Sequence, residues 1–291
     1  MRFKQILAAA VLSASLMTFN NSEVEALRYF AQTPQMMSSS TPYGDNSQAA
    51  HYAKSADAKI YYELYGQGDP VVILHGGGLG SAYEMGCFID KLKGTNQVIV
   101  ISTRGHGKSE IGHTPFTLKQ RADDIKAVLD DAGIKQAVKV IGFSDGGYSG
   151  YSFAMNYPSS VKKLVTIGAG EVLTTNKFFV FELDAWRKYD NDFIDQQQKL
   201  MPEPKRWQET LHMYENMWNG AVISKDTFTK VTCPVLVING EKDPNSPMTT
   251  AIAAFYELPN AHLSIIPNAG HACFLENFDA VWGAIEPFIK D

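Results

Sequence analysis

Short runs of apolar residues alternate with longer segments of helical periodicity from about residue 60 to the end of the chain. Most of the short runs are apolar at every position, which is typical of strands buried on both faces of a sheet. They predict strands at 60–65, 71–74, 98–101, 138–141, 164–167, 235–238 and 263–266. Strands alternating with helices favour the α/β class, with a mostly parallel central sheet and helices on both faces.

Helical periodicity is clearest between residues 117 and 132, where apolar side chains recur at a spacing of three or four: Leu118, Ala122, Ile125, Val128 and Leu129. Gly133 then stands at a position where helices commonly end. Similar patterns predict helices at 82–92, 146–156, 247–257 and 278–290.

The alternation breaks between the predicted strands that end at 167 and begin at 235. The intervening segment favours helix, with a break at Pro202 and Pro204, and its length indicates an element with its own role. We predict a helical cap at about 171–230, over the C-terminal edge of the sheet. The cap is rich in aromatic residues: Phe178, Phe179, Phe181, Trp186, Tyr189, Phe193, Trp207, Tyr214 and Trp218. We expect most of them to fill the core of the cap and a minority to line a pocket.

The N-terminus has the pattern of a secretory signal peptide at residues 1–26. Arg2 and Lys4 precede an apolar run at 6–19, and a small-x-small cleavage pattern ends at Ala26. The run is shorter than the roughly 20 residues that span a membrane, and a buried helix is the alternative. Residues 27–50 are polar and aperiodic, so we predict an irregular arm there. We predict one domain at 51–291 and an exported protein, periplasmic or secreted.

Composition narrows the class of partner. The chain has 26 Lys and Arg residues against 31 Asp and Glu residues, and the resulting net charge of −5 has the wrong sign for a nucleic-acid binder. Three cysteines, Cys87, Cys233 and Cys273, leave room for one disulfide without indicating which pair forms it. They also lack the spacing of a structural zinc site. Nothing in the sequence indicates an oligomeric state.

The motif Gly142-Phe143-Ser144-Asp145-Gly146 fits G-x-S-x-G and lies between a predicted strand and a predicted helix. A turn this sharp requires glycine on both sides of the serine, because larger side chains would collide. The turn exposes the serine hydroxyl at the C-terminal edge of the sheet, beside the positive end of the helix dipole. Ser144 is therefore the candidate nucleophile.

A serine hydroxyl needs a general base, and seven histidines are available. His271 alone follows the last predicted strand, at the sheet edge where α/β proteins place catalytic groups. Asp243 follows the preceding strand and is the candidate acid that orients His271. Glu241 and Glu171 are alternatives for that acid.

Attack on a carbonyl also needs two preorganised N–H donors for the oxyanion. The segment His75-Gly76-Gly77-Gly78 follows a predicted strand, and its glycines allow bare backbone to approach a substrate. We assign the donors to the amides of Gly77 and Asp145, with a glycine turn of no function as the alternative. The segment lacks the P-loop pattern, and the chemistry requires no cofactor, metal or thiol.

Five motifs stand out along the chain: His75-Gly76-Gly77, Arg104-Gly105-His106-Gly107-Lys108-Ser109, Gly142-Phe143-Ser144-Asp145-Gly146-Gly147, Gly240-Glu241-Lys242-Asp243-Pro244 and Gly270-His271. Their order and spacing are those of the α/β-hydrolase superfamily, which the chain resembles from about residue 51 onward. The resemblance implies that fold and a Ser-His-Asp triad.

Within the superfamily, the nucleophile motif and the acid loop are similar to those of the valacyclovir-hydrolase branch. That similarity implies that Asp145 helps to recognise a substrate α-amino group. Ser102 stands where many relatives have aspartate, at a position that supports the loop rather than the chemistry.

Three functions follow from these residues. The first is a serine hydrolase that cleaves small carboxylic esters through an acyl-enzyme, since dehalogenases and epoxide hydrolases carry aspartate as nucleophile. The second is amide cleavage of the prolyl-aminopeptidase type, in which acidic cap residues would meet a substrate ammonium: Glu182, Asp184, Asp190, Asp192 and Asp195. The third is a ligand-binding protein without activity. The expected partner in each case is a small molecule.

Overall fold

The computed structural model describes Phe30, residues 41–173 and residues 179–290. Within these residues the strands are β1 Ala50–Ser55, β2 Ala58–Tyr65, β3 Asp69–Leu74, β4 Asn96–Ile101, β5 Val138–Phe143, β6 Val161–Ile167, β7 Val235–Gly240 and β8 Ala261–Ile266. They form one sheet in the order β1-β2-β4-β3-β5-β6-β7-β8. The predicted α/β class is confirmed, because every pairing from β4 to β8 across this order is parallel.

All seven predicted strands are present, and the sequence missed only β1 among the described strands. This strand lies at the edge of the sheet and pairs antiparallel with β2 through a tight turn at Ala56, whose φ is 47°. Only two of its six side chains are buried, Ala53 and Ser55. An edge strand of this kind lacks the continuous apolar run that marked the others.

The α-helices of the described residues include all five predicted ones: α1 Gly86–Leu92, α2 Leu118–Asp131, α3 Asp145–Asn156, α4 Leu183–Arg187, α5 Asn191–Leu200, α6 Trp207–Gly220, α7 Lys225–Phe228, α8 Met248–Glu257, α9 Cys273–Glu276 and α10 Phe278–Ile289. Short 3-10 helices occupy Ala82–Met85, Pro158–Ser160 and Pro204–Arg206. Across the part of the chain that the structure describes, no helix combines the length and the apolar character needed to cross a bilayer.

The core lies on both faces of the sheet because successive strand side chains point in opposite directions. In β3, Val71 and Ile73 belong to one buried cluster and Val72 and Leu74 to the other. Helices α1 and α10 cover the first face, while α2, α3 and α8 cover the second. Burial on both faces explains why these strands are apolar throughout.

The cap inserts between β6 and β7 and consists of α4, α5, a 3-10 turn and α6. Its two ends meet in an isolated antiparallel bridge, in which Val172 and Ile223 exchange N–H···O bonds of 2.8 Å. Helix α7 lies within the predicted cap but packs against α3 of the sheet domain, where the ring centroids of Phe228 and Tyr151 are 5.1 Å apart. The cap therefore closes at residue 223, before the predicted boundary near 230.

The predicted irregular arm at 27–50 is partly built into the domain. Tyr43 is only 2% exposed and belongs to the core cluster that covers one face of the sheet. The domain therefore begins before residue 51, because an aromatic side chain in the arm contributes to its core. The predicted signal peptide at 1–26 lies outside the described residues and stays a prediction.

The carboxyl group of Glu63 anchors this arm from inside β2. It accepts hydrogen bonds from the backbone N–H of Gly44 at 2.9 Å and of Asn46 at 3.0 Å. It also accepts from the hydroxyls of Tyr61 at 2.6 Å and Tyr65 at 2.8 Å. Glu63 is fully buried, so these four donors satisfy a group that would otherwise be costly to bury.

Cys87, Cys233 and Cys273 carry free thiols. The disulfide that the sequence left open is therefore not formed. Burial raises the pKa of each thiol, to about 11 for Cys233 and about 12 for the other two. All three are in the weakly nucleophilic, protonated form near neutral pH.

Replacing Glu63 by Gln should lower the free energy of unfolding by about 2 kcal/mol, because the amide supplies one acceptor where four donors converge. Urea unfolding of the variant and the wild type measures this difference. The matched control is Glu286→Gln on the surface, which removes an exposed pair with Lys290 and should cost about 0.5 kcal/mol or less. Equal effects of the two substitutions would contradict the anchoring role of Glu63.

Candidate active site

Ser144 occupies the turn between β5 and α3 with φ 50° and ψ −116°. Residues other than glycine rarely adopt positive φ, and such strain is typical of functional turns. The neighbouring glycines are required by close contacts. A Cβ at Gly142 would overlap the carbonyl of Gly146, and a Cβ at Gly146 would lie 2.5 Å from the carbonyl oxygen of Leu74. The turn therefore has the predicted geometry.

The structure brings Ser144, His271 and Asp243 together from three loops at the C-terminal edge of the sheet. The Nε2 atom of His271 lies 2.9 Å from the Oγ atom of Ser144, and its Nδ1 atom lies 2.8 Å from Oδ2 of Asp243. The other carboxylate oxygen of Asp243 accepts the N–H groups of Asn245 at 2.8 Å and Ser246 at 2.9 Å. These contacts fix the orientation of the Asp243 side chain.

The two alternative acids point elsewhere. Glu241 accepts the N–H of Asn268 at 2.8 Å. Glu171 lies near Glu257, and burial together with this like charge raises the pKa of Glu171. Neither carboxyl group forms a hydrogen bond with His271.

The glycine loop after β3 leaves one N–H group available beside Ser144. The N–H of Gly76 donates to Oε2 of Glu84 at 3.0 Å, and the N–H of Gly78 donates to Nε2 of His106 at 2.9 Å. Between them, the N–H of Gly77 has no partner among the described residues. A Cβ at Gly77 would lie 2.8 Å from the Cβ of Asp145, so the Gly77 backbone lies close against the Asp145 side chain.

His75 and His106 hold this loop as neutral hydrogen-bond acceptors. Burial lowers the pKa of His75 to about 3 and places that of His106 well below its ordinary value. Nε2 of His75 accepts the N–H of Thr103 at 2.9 Å, while His106 accepts that of Gly78. His75 and His106, which the sequence analysis passed over in favour of His271, thus connect the glycine loop after β3 to the loop after β4.

A cavity of about 210 Å³ lies between the sheet edge and the cap, with Ser144, Gly77, Asp145 and His271 in its wall. The expectation that few cap aromatics would face a pocket is wrong. Of the eight that the structure describes, five line the cavity: Phe179, Phe181, Trp186, Tyr214 and Trp218. Phe178 lies outside the described residues. The large share of aromatic rings makes the described wall mainly apolar.

The acidic cap residues considered for binding an ammonium group do not line the described cavity. Asp190 accepts the N–H of Phe193 at 3.1 Å and so caps α5. Asp195 pairs with Arg187 at 2.6 Å. These two acids stabilise the cap instead of meeting a ligand.

Asp145 is 2% exposed and belongs to the cavity wall. Its Oδ2 atom accepts the Tyr214 hydroxyl at 3.0 Å and lies 3.9 Å from Nε of Arg121. The Arg121 guanidinium packs against a pair of touching rings, with its Cζ atom 4.9 Å from the ring centroid of Phe116 and 4.8 Å from that of Tyr214. Burial raises the pKa of Asp145, and the Arg121 charge opposes this shift. The Oδ1 atom of Asp145 has no partner in the described structure.

Glu84 is a cavity residue that the sequence did not indicate. It lies in the 3-10 helix Ala82–Met85, faces the glycine loop and accepts the Gly76 N–H. Burial raises its pKa to about 8, so its carboxyl group is largely protonated at neutral pH. No motif could have identified it, because its partner is a backbone N–H group. Tyr148 was also missed, although its position one helical turn after Ser144 places it on the same face of α3.

The comparisons with known families agree with this fold. The family described as alpha/beta hydrolase fold matches residues 69–201, and the family described as TAP-like protein matches residues 217–291. The chain belongs to the α/β-hydrolase superfamily, and it is a hydrolase.

The individual relatives lie at moderate distance. Human serine hydrolase BPHL is 26% identical over 251 residues, which cover 80% of this chain and 83% of that protein. A cis-3-alkyl-4-alkyloxetan-2-one decarboxylase of Shewanella oneidensis is 34% identical over 123 residues, which span 41% of this chain and 38% of that relative's length. The structure of a serine hydrolase involved in carbazole degradation (CarC enzyme) superposes with a TM-score of 0.68 at 20% identity, over 82% of this chain and 98% of that chain.

The variant Glu84→Gln should gain stability relative to the wild type as the pH rises from about 5 to about 8. In that range an unfolded Glu84 has lost its proton, with an ordinary pKa of 4.5, while the folded protein still holds it. The wild type therefore loses up to about 1.4 kcal/mol of unfolding free energy per pH unit, and the glutamine does not.

Urea unfolding at several pH values measures this difference, which should flatten above pH 8. Glu182→Gln, at an exposed carboxyl group of the cap, is the matched control and should show no such trend. A Glu84→Gln difference independent of pH would show that Glu84 is ionised in the folded protein.

Proposed function

We propose that this protein is a serine hydrolase that cleaves small carboxylic esters through an acyl-enzyme, without a cofactor. The observation that carries the proposal is the continuous set of contacts from Ser144 Oγ through the His271 ring to Asp243. Hydrogen-bond distances on both sides of an imidazole are the geometry that activates a serine hydroxyl.

In the proposed first step, Ser144 Oγ attacks the ester carbonyl carbon while Nε2 of His271 takes the hydroxyl proton. Asp243 holds the Nδ1–H side of the ring and stabilises the imidazolium that forms. The N–H groups of Gly77 and Asp145 donate to the oxyanion of the tetrahedral intermediate.

The intermediate then collapses as the C–O bond to the alcohol breaks, and His271 returns the proton to the departing oxygen. Water attacks the acyl-enzyme in the same way, with His271 again as base. This second step releases the carboxylic acid and restores the Ser144 hydroxyl.

The cavity supports a small and largely apolar substrate. Its volume of about 210 Å³ is below the roughly 300–1,000 Å³ of typical ligand pockets, and aromatic rings form much of its wall. Esters with short or planar acyl groups fit these properties.

Asp145 supports one refinement, the recognition of a substrate α-amino group. Its Oδ1 atom is buried, unpartnered among the described residues and adjacent to the nucleophile. The refinement applies equally to aminoacyl esters and to aminoacyl amides. We favour esters, because the acidic cap residues that would support an aminopeptidase lie outside the described cavity wall.

Replacing Ser144 by Ala should lower kcat/KM for 4-nitrophenyl acetate by about 1,000-fold or more, because the nucleophile is removed. Ser149→Ala is the matched control, since Ser149 is a buried serine on α3, the helix that follows Ser144. The control should retain hydrolysis close to the wild-type rate. If Ser144→Ala keeps more than about a tenth of the activity, the mechanism is wrong.

Replacing Asp145 by Asn should reduce the preference for an aminoacyl ester over the matching ester without the amino group, by about tenfold. The ratio of kcat/KM for the two esters measures this, with the corresponding aminoacyl arylamide assayed in parallel. An unchanged ratio would remove Asp145 from substrate recognition. Faster cleavage of the arylamide than of the ester would favour the amidase alternative.

A further inference from the structure

A second cavity of about 330 Å³ lies along the face of α3, outside the catalytic cavity. Its wall comes from the start of α2, from α3 and from the C-terminal end of the cap, and it includes Leu118, Tyr148, Ser152, Met155, Val222 and Ile223. The Ser152 hydroxyl donates to the carbonyl of Leu118 at 2.8 Å, and the Asn156 amide donates to the carbonyl of Ser152 at 2.8 Å. These polar groups are satisfied within the protein, which leaves hydrocarbon and ring surface for a ligand.

One side chain and one bridge separate the two cavities. Tyr148 lines both of them. The bridge between Val172 and Ile223 continues this wall, since Val172 lines the catalytic cavity and Ile223 lines the second one. The Tyr148 ring is 7% exposed and packs edge-on against Trp218 at 4.9 Å, so it is fixed in the wall.

The second cavity extends in a direction that a substrate chain would follow. Ser144 precedes α3, Tyr148 lies one turn along it, and Met155 lies about two turns further. From Tyr148 to Met155 the helix rises about 10 Å. At the outer end Val222 is 50% exposed, so this compartment reaches the surface of the protein.

We propose that Tyr148 sets the upper limit on acyl-chain length by closing the acyl subsite, and that the cavity behind it accepts the distal part of a longer linear alkanoyl chain when the ring is removed. The ligand is an unbranched saturated chain, because the compartment follows a helix and offers mainly apolar surface. Lys119 is the charged residue in its wall and is itself largely exposed. This inference rests on the proposed esterase function.

The test compares kcat/KM for 4-nitrophenyl esters of two to twelve carbons in the wild type and in Tyr148→Ala. The wild type should prefer the short esters. Tyr148→Ala should raise the ratio for the ten-carbon over the four-carbon ester by about tenfold, because several methylene groups gain an apolar site. Tyr148→Phe keeps the ring and should keep the wild-type ratio.

A second substitution identifies the compartment itself. Adding Met155→Trp to Tyr148→Ala fills the cavity behind the ring and should return the ratio to the wild-type value. Tyr148→Leu serves the same comparison with a smaller loss of packing, should Tyr148→Ala unfold. Two results would overturn the inference: a ratio unchanged by both Tyr148→Ala and Tyr148→Leu, or a raised ratio that persists after Met155→Trp is added. In either case, hydrolysis of the short esters would still support the proposed function. Failure of every variant and the wild type to hydrolyse any ester would remove both.

Discussion

The positive φ of Ser144 is the constraint around which the catalytic edge of this protein is arranged. A serine held at φ 50° requires β5 to turn into α3 within one residue. That turn brings the carbonyls of Gly146 and Leu74 so close to neighbouring backbone that glycine is needed at residues 142 and 146. It also sets the first N–H groups of α3, which have no partner within the helix, beside the serine hydroxyl. A single strained residue thus places the proposed nucleophile beside an N–H group that could serve the proposed oxyanion.

Around this turn, most buried carboxyl and imidazole groups are neutral or paired, and the Oδ1 atom of Asp145 is the exception. Asp243 is matched by His271 and two backbone N–H groups, and Asp145 by Arg121 and the Tyr214 hydroxyl. Burial raises the pKa of Glu84 to about 8, which favours its protonated form at neutral pH. The buried histidines that hold the glycine loop are neutral for the same reason. Fixed dipoles, rather than mobile charges, therefore define the electrostatics of the site.

The sequence predicted what local sterics and strand order determine. The G-x-S-x-G motif required the turn at Ser144, and the carboxyl ends of adjacent parallel strands required Asp243 and His271 to meet there. Prediction from the sequence failed where the structure depends on a contact between residues far apart in the chain. Strand β1 is defined by pairing at a sheet edge, and the role of Glu84 depends on a backbone N–H group in a loop that precedes it. The orientation of the cap aromatics depends on how α4 to α6 rest on the body, which helical periodicity within the cap does not specify.

The most direct test of the account is mass spectrometry of the protein after reaction with a fluorophosphonate, which captures a serine activated by a neighbouring base. The arrangement of Ser144, His271 and Asp243 predicts one phosphonyl adduct per chain, on the peptide that contains Ser144. An unmodified protein, or an adduct confined to another residue, would contradict the central claim that the strained turn presents an activated nucleophile.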